Sequence, residues 1–207
     1  MNLSTSFRIF IVVATLLLGA CASLSEKQCR GQDWNGIGYR DGLNGRSEFR
    51  VNDHQKACAK YGIDIDLKTY EAGRQRGLDR YCTIDNGLRN GRDGNSYEGV
   101  CPPEAEPAFL RAYRLGLEIN RVDSRLTALR NERSSIFNRL REMSEEKHDD
   151  ADDDHRDEED RKHERERAKE RAHERETLNY RLIEIEREEL RLEQDYRDLE
   201  IEARQLH

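Results

Sequence analysis

Two runs of apolar residues in the C-terminal half constrain the fold more than any other feature of the chain. Leu115, Ile119, Val122, Leu126, Leu129, Arg133, Ile136, Leu140 and Met143 alternate by four and three without a slip. Leu178, Leu182, Ile185, Glu189, Leu192, Tyr196, Leu199, Ala203 and Leu206 do the same. Each run is four heptads long with one charged interruption, Arg133 in the first and Glu189 in the second. Glu and Arg fill the flanks, which is the patterning of helices that bury a seam against another helix. No Gly follows Gly116 and no Pro follows Pro107, so beyond Gly116 at the start of the first arm, the arms 115–143 and 178–207 are free of helix breakers. At about 1.5 Å per residue each arm reaches roughly 43 Å.

The stretch 144–177 between the arms carries no side chain larger than Ala to bury apart from long polar ones. Met143 and Leu178 are 35 residues apart, five whole heptads, so one continuous helix would keep the stripe in phase. The Asp cluster 149–154 opposes that, because Asp is a poor helix former. The arms are equally long, and the preferred expectation is an antiparallel hairpin with a charged connector, or an oligomer of such arms. His148, His155, His163 and His173 lie in the connector among Asp and Glu, the composition of a loose tract for zinc, nickel or calcium. No two of them are four apart, so no preformed metal site is expected and a solvated charge run is the preferred reading.

The N-terminal half is built differently. Twelve of the 14 Gly lie between Gly31 and Gly99. "QDWNGIGYRDGLNG", "DLKTYEAGRQRGLDRYC" and "PAFLRAYRLGLE" each pair an aromatic with Gly three or four residues on, which places both on one helical face. Each interior Gly costs about 1 kcal/mol relative to Ala. Close helix–helix packing is the expected offset, with backbone exposed to a ligand as the alternative. Helices are expected to start after Asp66, after Asn52 or Asp53, and at Pro107.

The first residues carry an address. Arg8 is followed by the apolar run Ile9–Leu18, too short to span a bilayer and ordered like a secretory signal. Leu18-Gly19-Ala20-Cys21 resembles the lipobox of bacterial lipoproteins. The resemblance implies cleavage after residue 20, diacylglyceryl attachment to Cys21 and acylation of the new amine, an anchor into the bilayer that several chains make stable. Ala22-Ser23 lacks the aspartate that retains such proteins on the inner membrane, which implies the periplasmic face of the outer membrane. Removing residues 1–20, which hold one Arg and no acid, takes the net charge from −7 to −8. That argues against nucleic acid or an anionic lipid surface as partner.

In an oxidising compartment the four remaining cysteines, Cys29, Cys58, Cys82 and Cys101, read as two disulfides with three connectivities open. Nearest-neighbour pairing, Cys29–Cys58 and Cys82–Cys101, is the preferred one. The 82–101 segment then reads as a disulfide-closed turn in which Gly87, Gly91, Gly94 and Gly99 allow tight backbone.

The order Cys29-Arg30, Asp33-Trp34, Ile37-Gly38, Asp41-Gly42, Gly45, His54, Ala57-Cys58, Gly62, Tyr70, Gly73, Gly77-Leu78, Tyr81-Cys82-Thr83, Asn86-Gly87, Gly91, Gly94, Tyr97 and Gly99-Val100-Cys101-Pro102 resembles a proteobacterial lipoprotein family known only as a domain of unknown function (YfiL-like). The resemblance covers about residues 28–120. It implies an envelope address and a helical fold, and no activity, substrate or catalytic residue.

Candidate chemistry in this half is sparse. His54 lies four residues before Cys58 and would share its helical face, as a nucleophile's base or a zinc co-ligand would. An oxidised Cys58 removes both. A cleft of His54, Asp33 and Trp34 is the arrangement an enzyme acting on the cell wall would need. The acids Asp33, Asp41, Asp64, Asp66, Asp79 and Asp85 read as caps and turn residues. The expected architecture is therefore all-α: signal 1–20, lipidated N-terminus and tether 21–28, a disulfide-stapled Gly/aromatic domain 29–117, and the coiled-coil tail. Its expected role is interaction without catalysis or cofactor, through self-association or another envelope protein.

Overall fold

The computed structural model describes residues 23–149 and 158–206, with the side chains of 146–149 outside that description. Among the described residues there are seven helices and no strand: α1 Glu26–Gly31, α2 Trp34–Leu43, α3 Arg50–Ala59, α4 Leu67–Tyr81, α5 Ile84–Arg92, α6 Glu106–Asp149 and α7 Glu158–Arg204. They form two compact units, residues 23–90 with 95–113, and residues 91–94 with 114–206.

The first unit is held by backbone contact and by two disulfides, Cys29–Cys58 and Cys82–Cys101. Helices α2 and α4 run side by side, and four glycines make the seam. A Cβ at Gly38 would overlap the Tyr70 carbonyl, and one at Gly42 the Arg74 carbonyl. Reciprocally, Gly73 faces the Asn35 carbonyl and Gly77 that of Tyr39. The Gly spacing of four in each helix thus lets two backbones touch along a whole face, the packing that offsets the helical cost of Gly. Leu24, Cys29, Trp34, Ile37, Ala57, Cys58, Ile65 and Tyr70 form one core. Tyr81, Cys101 and Phe109 form another, with the Tyr97 and Tyr113 rings packed on Phe109 at 4.9 and 6.1 Å between centroids. Burial, together with a hydrogen bond to the Glu106 carboxylate, pushes the Tyr97 phenol up to about 12.

Three elements differ from the sequence expectation. Helix α3 starts at Arg50 after Phe49, with no side-chain cap, so Asn52 and Asp53 lie inside it. The 82–101 loop is not turn throughout, because α5 occupies Ile84–Arg92 and contains Gly87 and Gly91. Gly87 there gives way to the Phe109 carbonyl, while Gly94 and Gly99 take positive φ values of 69° and 68°. Finally, within the expected tether 21–28 the described residues 23–28 are not free: Leu24 is in the core and Ser25 caps α1 through a capping box.

The second unit is an antiparallel hairpin of α6 and α7. Arg139–Glu174, Glu132–Arg181 and Arg125–Glu188 pair across it, each Arg placing two nitrogens at 2.7 and 3.0 Å from the carboxylate oxygens. Successive rungs step by seven residues in opposite directions on the two helices, which fixes both direction and register. Hydrogen bonds and charge from the Arg partners hold Glu132, Glu174 and Glu188 below the usual carboxylate range. Leu129, Ile136 and Ile185 are buried in the seam with Leu140, Leu178, Leu182 and Leu192 around them.

The two charged interruptions of the heptad runs meet each other: Arg133 Nη1 lies 2.6 Å from Glu189 Oε2, and Glu189 is buried. Helix also extends beyond the expected arms, through 144–149 and 158–177. Glu, Arg, Lys and Ala are good helix formers, and pairs such as Glu166–Lys169 at 3.0 Å add to them.

Candidate functional site

The most elaborate polar site among the described residues is a buried chain in the first unit, built from four separate segments. His54 comes from the middle of α3 and is 2% exposed. Its Nδ1 lies 2.8 Å from Ser23 Oγ and its Nε2 lies 2.7 Å from Asp41 Oδ2. Asp41 projects from α2, and the same Oδ2 accepts the Tyr70 hydroxyl, from the first turn of α4, at 2.8 Å. The Tyr70 ring meets the imidazole edge-on at 6.1 Å.

Electrostatics fix the roles. Burial pushes the Asp41 carboxyl up, but hydrogen bonds from His54 and Tyr70 and the nearby charges of His54 and Arg50 outweigh it, leaving Asp41 below its ordinary value. Burial and the Asp41 carboxylate push the Tyr70 phenol far up, so it stays a donor. An ionised Asp41 accepts, hence Nε2 carries a proton toward it. With a neutral ring, Nδ1 accepts from the Ser23 hydroxyl; with a charged ring, it donates to it.

Hydroxyl, imidazole and carboxylate in series are the parts of a nucleophilic relay. Here they join the segment at Ser23 to α2, α3 and α4. His54 and Tyr70 are enclosed by the first core, and Leu24, beside Ser23, is 5% exposed within it. A fully paired buried network of this kind specifies one packing, because any member left alone bears the desolvation cost of an unmet polar group.

The residues singled out in the sequence fall as follows. Cys58 is bonded to Cys29, so His54 has no thiolate partner. Asp33 accepts the Gly36 N–H as the cap of α2, and Trp34 is in the core, so the cleft of His54, Asp33 and Trp34 is not formed. Asp66 caps α4, as its position suggests. Asp41 is neither cap nor turn residue but the acceptor at the centre of the network. Ser23 is 31 residues from its partner His54 and Tyr70 is 29 from its partner Asp41, pairings with no local signature. Cys21, His155 and the side chain of His148 lie outside the described residues. His163 and His173 stand exposed on α7, and among the described residues no group of three or more His, Cys, Asp or Glu is placed to hold a metal ion. Nor is any described helix long and apolar enough to cross a membrane.

Residues 33–118 match the sequence family described as "Protein of unknown function (DUF2799)". That match takes in α2 to α5 and the first turns of α6, including Asp41, His54 and Tyr70, and stops before the seam cluster around Leu129, Ile136 and Ile185. Neither the curated proteins nor the solved structures contain a match to the chain.

Proposed function

We propose that this chain is an envelope lipoprotein without catalytic activity, acylated at Cys21 on the periplasmic face of the outer membrane, whose helical hairpin is an arm for protein–protein contact. One observation carries the interaction reading. The hairpin seam is complete within one chain, yet α7 keeps a second apolar stripe, Tyr180, Ile183, Leu190 and Ile201, between 47% and 64% exposed. At 100° per residue these four lie on the side of α7 opposite Ile185 and Glu189, the seam residues. Apolar stripes exposed at helical spacing mark a face for another helix. The likeness of the first unit to YfiL-like lipoproteins and the Leu-Gly-Ala-Cys order support the address.

The test is in-cell photo-crosslinking from position 190. Adducts, to a second copy or to an envelope protein, that vanish in Ile183→Glu support the reading. A chain that stays a monomer without adducts at any of the four stripe positions contradicts it.

The Ser23–His54–Asp41 series favours a second reading, serine hydrolysis. A fluorophosphonate probe that labels Ser23 in the folded protein would establish it, and an unlabelled Ser23 disposes of it.

A further inference from the structure

We infer that the groove formed by Arg46, Phe49, Arg50 and Lys56 is a seat for phospholipid headgroups, and that the Ser23–His54 contact holds it there. The inference rests on acylation of Cys21, proposed above.

Chain length makes the first argument. Ser23 hydrogen-bonds the buried His54 and Leu24 lies in the core. Cys21 is two residues upstream, a reach of at most about 7 Å. An acyl anchor on that residue therefore brings the first unit down to headgroup level, with α3, the helix that Ser23 touches, close to the point of attachment. Arg50 is one turn before His54 on that helix, about 6 Å along its axis. It lies close enough to act on Asp41, so it belongs both to the surroundings of the latch and to the groove.

The groove's composition makes the second. Three cations, Arg46, Arg50 and Lys56, stand against two carboxylates, Asp53 and Glu98, a local balance opposite to the net −7 that disfavours an anionic lipid surface for the chain as a whole. Phe49 at its rim is 68% exposed, more than any other large apolar side chain among the described residues. An aromatic ring among cations suits the headgroup layer, where the ring sits among glycerol and acyl carbons and guanidinium groups fork onto phosphate. The carboxylates do not lock the cations away. Arg46–Glu98 is 3.7 Å long and Arg50–Asp53 3.4 Å, both solvent-exposed pairs of the weak kind.

The test uses the full acylated chain in phosphatidylethanolamine–phosphatidylglycerol vesicles doped with a nickel-chelating lipid. A fluorophore is attached at Phe49→Cys or, for comparison, at Arg76→Cys. Arg76 stacks over the Tyr39 ring, and Tyr39 is two residues from Asp41, hence on the far side of α2 from the latch. Quenching several-fold stronger at 49 than at 76 is expected, with the difference shrinking in Ser23→Ala as the latch loosens. Equal quenching at both sites, with mass spectrometry showing acylated Cys21, overturns the seat and leaves the lipoprotein reading intact. Unmodified Cys21 overturns both. An unchanged difference in Ser23→Ala overturns the latch's part in orienting the domain.

Discussion

The two units solve one problem, too few large apolar side chains, in opposite ways. Hydrophobic residues make up 35% of the chain and charged ones 38%. The first unit brings backbones together: glycines let α2 and α4 touch directly, two disulfides close the loops, and a buried polar chain ties four segments. The hairpin relies on side chains instead. It interleaves Leu and Ile across one seam and sets the register with forked Arg–Glu pairs at heptad intervals. Specificity in the first unit is therefore steric and covalent, whereas in the second it is a pattern of charge along a uniform stripe. A substitution that adds one methyl group is grave at the glycine seam of the former and nearly invisible on the surface of the latter.

That contrast can be broken in order of effect. The largest loss should come from Gly38→Val, which drives a branched side chain into the Tyr70 carbonyl. About 4 kcal/mol or complete failure of the first unit to fold is expected, read from the urea midpoint. Gly31→Ala, where nothing lies within 4 Å, should be neutral or slightly stabilising.

Reduction comes next. The disulfides span 29 and 19 residues, for which the chain-entropy account gives about 3.6 and 3.2 kcal/mol. Dithiothreitol should abolish the near-ultraviolet signal of Trp34 and the first unit's tyrosines while the hairpin keeps most of its far-ultraviolet helicity. Joint loss of both signals would mean that the units do not differ as argued.

In the hairpin, Arg133→Ala leaves the buried Glu189 carboxylate without its partner and should cost about 1–3 kcal/mol. The double variant Arg133→Leu with Glu189→Leu should regain that stability but loosen the register, read as disulfide trapping between cysteines placed out of step.

The smallest effects are those of pH. Asp41, Glu132, Glu174 and Glu188 all titrate below their ordinary values in the folded chain. Depressed carboxylates contribute stability that is present above their unfolded pKa and is lost as pH falls through the folded one, so the loss belongs below about pH 4. Asp41→Asn should lower neutral-pH stability of the first unit and flatten its acid limb, leaving the hairpin's acid limb as it was.

Legibility in the sequence followed the same divide. The seam of the hairpin was open to view because 3.5-residue periodicity is a local, repeated signal, and even its two blemishes, Arg133 and Glu189, stood in plain sight. That they would face each other depended on direction, which periodicity does not encode. In the first unit the glycine spacing pointed to close packing and Asp66 to a helix start. The start of α3 was hidden because Phe49 offers no cap and the chain enters the helix without one. Helix α5 was hidden because Gly87 and Gly91 resemble turn residues, although Gly87 is small to admit the Phe109 carbonyl. The Ser23–His54–Asp41–Tyr70 chain was beyond reach for a different reason. Its members are ordinary polar residues, and only tertiary structure makes them neighbours.

The meeting of Arg133 with Glu189 also bears on how the molecule tolerates change in length. Register is specified within the arms, by the forked rungs and the Arg133–Glu189 pair, and so does not depend on the length of the sequence between them. Insertions there should be silent, whereas one residue added between 125 and 139 puts every later rung out of step. The joint is accordingly the place to graft an epitope or a reporter, and the arm behaves as a ruler with its zero mark in the middle.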